Sequence, residues 1–129
     1  KPENTLDGDA ATAWRCGGDG AGVTITYAFP APTNLGVVGA DPGYDAIDPH
    51  NGDDRFTQNR RVSSARWICL AGDATVATAD QAFQDAKGMQ TTPATGFVGC
   101  TTVRFEIVAS TTPGSRDFVA LSEVRLGAA

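Results

Sequence analysis

Hydrophobic and polar positions alternate with period two along much of this chain. Val23, Ile25, Tyr27 and Phe29 are separated by Thr24, Thr26 and Ala28, the pattern of a strand with one face buried. Residues 101–109 repeat it more cleanly, with Val103, Phe105 and Ile107 on one face and Arg104 and Glu106 on the other. Residues 61–70 form another strand, with Ala65, Trp67 and Cys69 inward, and residues 35–40 and 118–126 read as two more. Around residues 76–88 two readings compete. Asp80 starts a short helix ended by Gly88, or Val76, Thr78 and Phe83 mark a hairpin strand, which we prefer. Pro30-Ala31-Pro32 is expected to end the first strand, because proline cannot donate to a ladder. Residues 15–22 read as a glycine-rich connection and residues 91–99 as a loop. The tally is about six to eight short strands with no helix long enough to link parallel strands, so the expected fold class is all-β, an antiparallel sandwich or jelly roll.

Composition agrees. The chain has 129 residues and 13.3 kDa, with 15 Gly, 7 Pro and 19% charged residues. That is one domain, residues 1–129, rich in turns and large enough for a single core. A net charge of −5 and a pI near 4.6 argue against nucleic-acid binding, where affinity comes from Lys and Arg displacing counterions. No apolar run approaches the roughly 20 residues that span a bilayer. The chain begins Lys1-Pro2 without methionine, which reads as a processed or excised piece with any targeting segment outside it.

Cys16, Cys69 and Cys100 include no Cys-x-x-Cys pair, and His50 is the sole histidine, which opposes a structural zinc site. An odd count allows one internal disulfide. Cys69 at the end of one strand and Cys100 just before another rank first as partners, with three buried thiols as the alternative.

Two stretches concentrate polar chemistry. Asn4-Thr5-Leu6-Asp7-Gly8-Asp9-Ala10-Ala11-Thr12-Ala13-Trp14 folds oxygens around a glycine turn and ends on a bulky anchor. Such a loop suits a hard cation such as calcium, which takes six to eight oxygen ligands, or closes on itself as an Asx-turn. It is not an EF-hand, which wants a further acid or amide where Ala11 stands and glycine where Thr12 stands. The second stretch, residues 41–60, mixes Tyr44, Ile47 and Phe56 with acids and arginines. Loops of this length are functional or disordered, and the cost of leaving those apolar groups in water favours an ordered one. Catalysis finds little support. His50 sits between Pro49 and Asn51 with no activating partner, and the neighbouring Asp45, Asp48, Asp53 and Asp54 are ordinary loop acids.

The motif Asn4-Thr5-Leu6-Asp7-Gly8-Asp9-x-x-Thr12-x-Trp14, taken with Leu121-Ser122-Glu123-Val124-Arg125-Leu126, resembles the discoidin-like (coagulation factor 5/8 type C, galactose-binding-like) domains. The middle, Pro42-Gly43-Tyr44-x-x-x-Asp48-Pro49-x-x-Gly52-x-Asp54-Arg55-Phe56-x-x-Asn59-Arg60-Arg61, is similar to the bacterial branch named for the translocation domain of a secreted NAD glycohydrolase. The resemblance implies an eight-stranded jelly roll and a structural calcium ion where the first loop meets the last strand. Asp7 and Glu123 would give carboxylates, Thr12 its hydroxyl and carbonyl, and Asn4, Asp9 and Ser122 their carbonyls. Independently, Glu123 interrupts an apolar strand, and a half-buried carboxylate there needs a partner.

The resemblance also implies a non-catalytic glycan-binding module of a secreted or envelope protein, with ligand contacts from loops at one end of the sandwich. Sugars present hydroxyls and an apolar C–H face, which polar groups and aromatic rings recognise. Tyr44, Asp48, Asp54, Arg55, Phe56, Asn59 and Arg60 supply that mixture. The competing assignment has Tyr44 and Phe56 pinning the loop while the charged groups form ion pairs. A cell-envelope polysaccharide is thus the expected partner, with a protein partner on the same loop as the alternative. Membrane docking is disfavoured, since Phe56 and Ile47 are the sole apolar candidates for loop tips.

Overall fold

The computed structural model describes residues 2–9 and 12–129 of the chain. Ala10 and Ala11 of the first loop lie outside them. After a 3-10 turn, Pro2–Leu6, nine strands follow among the described residues: β1 (Trp14–Gly17), β2 (Thr24–Thr33), β3 (Leu35–Asp41), β4 (Arg60–Ala71), β5 (Ala74–Ala82), β6 (Gln90–Pro93), β7 (Cys100–Ser110), β8 (Phe118–Leu121) and β9 (Glu123–Ala128). One short helix, α1 (Arg55–Gln58), lies between β3 and β4. The larger sheet runs β1-β8-β4-β7-β2, with β5 also paired to β4, and the smaller runs β6-β3-β9. All pairs are antiparallel except a short parallel contact in which Arg60 and Arg61 of β4 meet Val119 and Ala120 of β8. The two sheets pack as a sandwich, as expected from the sequence.

The period-two faces form the core. Ala65, Trp67 and Cys69 of β4 and Val103, Phe105 and Ile107 of β7 are buried, joined by Ile25 and Tyr27 of β2. The small sheet contributes Leu35, Val38, Ala40 and Val124. The Trp67 ring meets Phe105 edge-on, 4.7 Å between centroids, a favoured aromatic geometry. Its buried Nε1–H donates to Gln81 Oε1 at 2.9 Å, and Gln81 Nε2 donates to the Gln90 carbonyl at 2.9 Å. Cys69 and Cys100 are disulfide-bonded, 5.4 Å between Cα atoms, and Cys16 is free.

Several elements differ from the sequence expectation. Pro30 and Pro32 do not end β2, which continues to Thr33. β2 is a sheet edge, and its pairing to β7 lapses between Ala28 and Thr33, so the prolines owe no ladder bond. Residues 90–93 are a strand and not a loop. As an outer strand with only alternate positions partly covered, β6 needs no apolar alternation to mark it. Residues 15–17, the start of the stretch read as a connection, pair with β8 together with Trp14. Around residues 76–88 the hairpin reading holds, with β5 returning along β4 after a turn at Gly72. Residues 118–126 are two strands, because the chain leaves the large sheet at Ser122 and enters the small one at Glu123. The buried Ser122 holds that corner. Its N–H donates to the Asp41 carbonyl at 3.3 Å, and its hydroxyl accepts from Asp45 N–H at 2.8 Å.

Candidate functional site: an oxygen clasp beside an arginine-lined cleft

The first loop closes on itself through oxygens. Asp7 Oδ1 accepts from Asp9 N–H at 2.9 Å, and the Thr12 hydroxyl donates to Asp7 Oδ2. That hydroxyl also lies 3.0 Å from the Asp9 carbonyl and 3.3 Å from the Asn4 carbonyl. A hydroxyl has one proton to give. Three acceptor oxygens therefore crowd around one donor. The Asn4 side chain bonds the Ala13 carbonyl at 3.1 Å, and Thr5 meets the buried Tyr27 hydroxyl at 2.8 Å, so the loop is tied to β2. Burial pushes the Tyr27 phenol up to about 12.

Glu123 reaches the same loop from β9. Its Oε1 is buried without a hydrogen-bond partner among the described residues. Burial first, then the adjacent Asp7 carboxyl, pushes Glu123 up to about 7, although the Gly8 and Asp9 N–H groups oppose the shift. Asp7 moves the other way, held below the usual carboxylate range by Thr12 and the Asp9 N–H. The two neighbouring carboxyls are thus shifted in opposite directions, Glu123 up and Asp7 down. Asp41, paired with Glu123 across β3 and β9, is raised to about 7 by burial and by Asp45. Among the described residues no three acidic, histidine or cysteine side chains converge as a metal cluster. The donor set here is instead two carboxylates, a hydroxyl and main-chain carbonyls. An orphaned carboxylate oxygen and crowded acceptors fit a hard cation.

The second stretch is ordered by a small internal framework. Ile47 and Asp54 form a bridge, Asp48 N–H donates to the Asp53 carbonyl at 2.8 Å, and Arg55 N–H donates to Ala46 at 2.9 Å. Asp54 caps α1 by accepting from Phe56 N–H at 3.1 Å, and it meets Lys87 at 3.2 Å. Phe56 is 6% exposed and its ring lies on Gly43, where an added Cβ would sit 2.7 Å from it. Asn59 is 1% exposed and donates to the Arg55 carbonyl at 2.8 Å. Arg60 bonds Asp117 at 2.6 Å and the Thr111 carbonyl at 3.1 Å. Phe56 and Asn59 therefore face inward, while Asp54 and Arg60 bond other parts of the chain.

Tyr44, Asp48 and Arg55 have a different setting. A polar cleft of about 500 Å³ is lined by Tyr44, Arg55, Arg15, Arg116, Asn4, Thr12 and Ala13. A second recess of about 330 Å³ shares Tyr44 and Arg55 and adds Ala46, Ile47, Asp48, Pro49 and His50. Arg55 stands between them, held by Asp48 at 2.6 Å. The cleft takes Asn4 and Thr12 from the clasp, so the two features share a wall. Arg15 and Arg116 were not singled out from sequence. They lie far from the loop in the chain and reach it through the β1–β8 pairing and the turn before β8. Another groove, about 530 Å³, is lined by Asp80, Gln81, Gln84, Lys87, Gln90 and neighbours. It has no aromatic ring, and the Gln90 amide is spent on the Gln84 main chain.

The chain matches known domains over almost its full length. Residues 1–127 match the model of the NAD glycohydrolase translocation F5/8 type C domain. Among solved structures, the CBM32 of AlyQ in complex with 4,5-unsaturated mannuronic acid is similar with a TM-score of 0.68 at 16% identity, covering 97% of this chain and 84% of that one. The family 32 CBM of NanJ from C. perfringens, in complex with galactose, gives 0.70 at 11% identity, covering 97% and 82%. The Streptococcus pyogenes NAD+-glycohydrolase translocation domain gives 0.60 at 20% identity, covering 84% and 88%. No curated protein matches. Among the described residues no helix is long and apolar enough to cross a membrane. The chain belongs to the NAD glycohydrolase translocation F5/8 type C domain family, with a discoidin-like sandwich fold.

Proposed function

We propose that this domain is a non-catalytic carbohydrate-binding module of a secreted or envelope protein, and that it binds glycans through the 41–61 loop. The observation that carries this reading is the meeting of Tyr44 and Arg55 at the junction of two polar recesses. A ring and a forked donor at one concave site suit the C–H face and hydroxyls of a sugar. Similar solved structures hold mannuronic acid and galactose, which supports the same class of ligand. Within the loop, Tyr44, Asp48 and Arg55 are the contact residues, while Asp54, Phe56, Asn59 and Arg60 keep the loop in shape.

Calcium belongs to the clasp in this reading. Asp7 and Glu123 would hold it with the Thr12 hydroxyl and the carbonyls of Asn4, Asp9 and Ser122. Its charge would replace the proton on Glu123 and join the two ends of the chain next to the cleft. Screening the 129-residue chain on a glycan array with excess calcium tests the proposal. Binding that is lost in Tyr44→Ala and Arg55→Ala supports it. Failure to bind any glycan, together with capture of a protein partner through the same residues, sinks it. That second reading, a protein-interaction module, is favoured by one feature, the exposed Ile47 at the loop surface, 54% accessible.

A further inference from the structure

We propose that the cleft beside the clasp selects an anionic glycan, one bearing a carboxylate or phosphate, and that Arg15 and Arg116 read its charge. This rests on the glycan-binding reading above and names the class of sugar. The chain carries 15 acidic and 10 basic side chains. Yet the cleft is lined by Arg15, Arg55 and Arg116 and by no Asp or Glu. A carboxylate-free recess that gathers arginines makes a positive spot on a negative protein, where an anion is drawn in and concentrated.

The three guanidiniums are not equivalent. Arg55 is engaged by Asp48 at 2.6 Å and by Gln58 at 3.4 Å, so its charge is balanced and its position fixed. Arg15 and Arg116 form no ion pair and no side-chain hydrogen bond among the described residues, and both are exposed. Arg15 lies over the Phe118 ring, 5.5 Å from its centroid. Stacking steadies the guanidinium plane and leaves its N–H edge free.

Arg116 is placed by its backbone. Its N–H donates to the Gln58 carbonyl at 3.0 Å, and Gly114 packs so tightly on α1 that an added Cβ would fall 2.3 Å from the Thr57 carbonyl. Two guanidinium forks on separate elements offer donors and no acceptors. A neutral sugar hydroxyl both donates and accepts, so its O–H is left unused against them. A carboxylate or phosphate oxygen only accepts, and matches them fully.

The test uses the calcium-loaded 129-residue chain and sugars that differ at one carbon. Galactose and glucose, their 6-uronates and their 6-phosphates are titrated at low and high salt. Uronate or phosphosugar binds about tenfold or more tightly than the neutral sugar, and high salt narrows the gap. The two anionic arms separate a carboxylate from a phosphate ligand. Arg15→Gln and Arg116→Gln each weaken the anionic sugar about tenfold and leave the neutral one unchanged, with melting temperatures matching the parent. Equal binding of neutral and anionic sugars overturns the proposal and leaves the glycan-binding reading standing. Anion preference that survives both substitutions overturns the assignment of Arg15 and Arg116. If no sugar binds here or on the array, the glycan-binding reading falls and this proposal with it.

Discussion

Phe56 decides whether the central loop is held by its aromatic group or displays it. Its ring is 6% exposed, lies against Gly43, and has the Arg61 and Lys87 cations 5.4 and 5.8 Å from its centroid. Truncating a buried phenylalanine to alanine costs about 3–5 kcal/mol. The ring sits under a surface loop, not at the centre of the sandwich, which places Phe56→Ala near the low end. Losing two partly exposed cation–π contacts, about 0.5 kcal/mol each, adds at most about 1 kcal/mol. About 3–4 kcal/mol is then expected. For a chain of 129 residues the unfolding entropy is about 0.27 kcal/mol/K, which converts that loss to a melting temperature lower by about 11–15 °C. Thermal and urea denaturation of Phe56→Ala and Phe56→Leu, alongside sugar titration, measure it. Leucine recovers most of the stability, and sugar affinity follows loop order in both variants. A Phe56→Ala protein that melts within about 2 °C of the parent yet loses sugar binding would refute the reasoning, because the ring would then be contacting ligand.

The remaining expectations concern the clasp, the cross-link and pH. Cys69 and Cys100 are separated by 31 residues, and closing such a loop is worth about 3–4 kcal/mol by chain entropy. Reduction, or Cys69→Ala with Cys100→Ala, lowers the urea midpoint accordingly, and an unchanged midpoint contradicts the cross-link. Calcium at about one hundred times its dissociation constant adds about 2.7 kcal/mol, seen as a higher melting temperature than in chelator. Glu123→Gln and Asp7→Asn remove that increment, and equal melting with and without calcium in the parent counts against the clasp. In chelator, stability falls as pH rises from about 4.5 to 7, because Glu123 and Asp41 are raised to about 7 and the benefit of their protonated forms is lost across that window. Calcium flattens the slope, and a metal-free curve already flat from pH 5 to 8 contradicts it. Asp85, held below its ordinary value by Arg61, works in the opposite sense. Its contribution is present above about pH 4 and fades with further acidification, so Asp85→Asn removes part of the acid limb of the pH–stability curve.

Period-two runs were legible because burial of one sheet face is a local property. Trp67, Val103, Phe105 and Ile107 could be assigned to the core from spacing alone, and all are buried. Where the sequence misled, the cause was non-local. Between residues 118 and 126 Glu123 interrupts the apolar run, but this does not tell a change of sheet from a single strand with one polar position, because the break is set by pairing with β4 and β3. Gln90–Pro93 became a strand because β3 offered an edge, not because its own residues alternate. The clasp residues near the start of the chain were readable as an oxygen-rich turn, whereas their meeting with Glu123 follows from the resemblance and the fold. In the central loop, composition named the chemistry but not its use. Asp54 and Asn59 look like sugar ligands in sequence, and in the structure they serve as a helix cap and a buried brace. Arg15 and Arg116 carry no motif at all, and reach the cleft only through strand pairing and a turn packed on α1.

Chemical-shift mapping of the calcium-loaded chain during a sugar titration tests the central claim most directly, because it reports every backbone position at once. The account predicts perturbations gathered at Tyr44, Asp48 and Arg55, extending to Arg15 and Arg116, with Gln84 and Gln90 of the other groove unmoved. Perturbations gathered at Gln84 and Gln90, with Tyr44 and Arg55 unmoved at saturation, would contradict it.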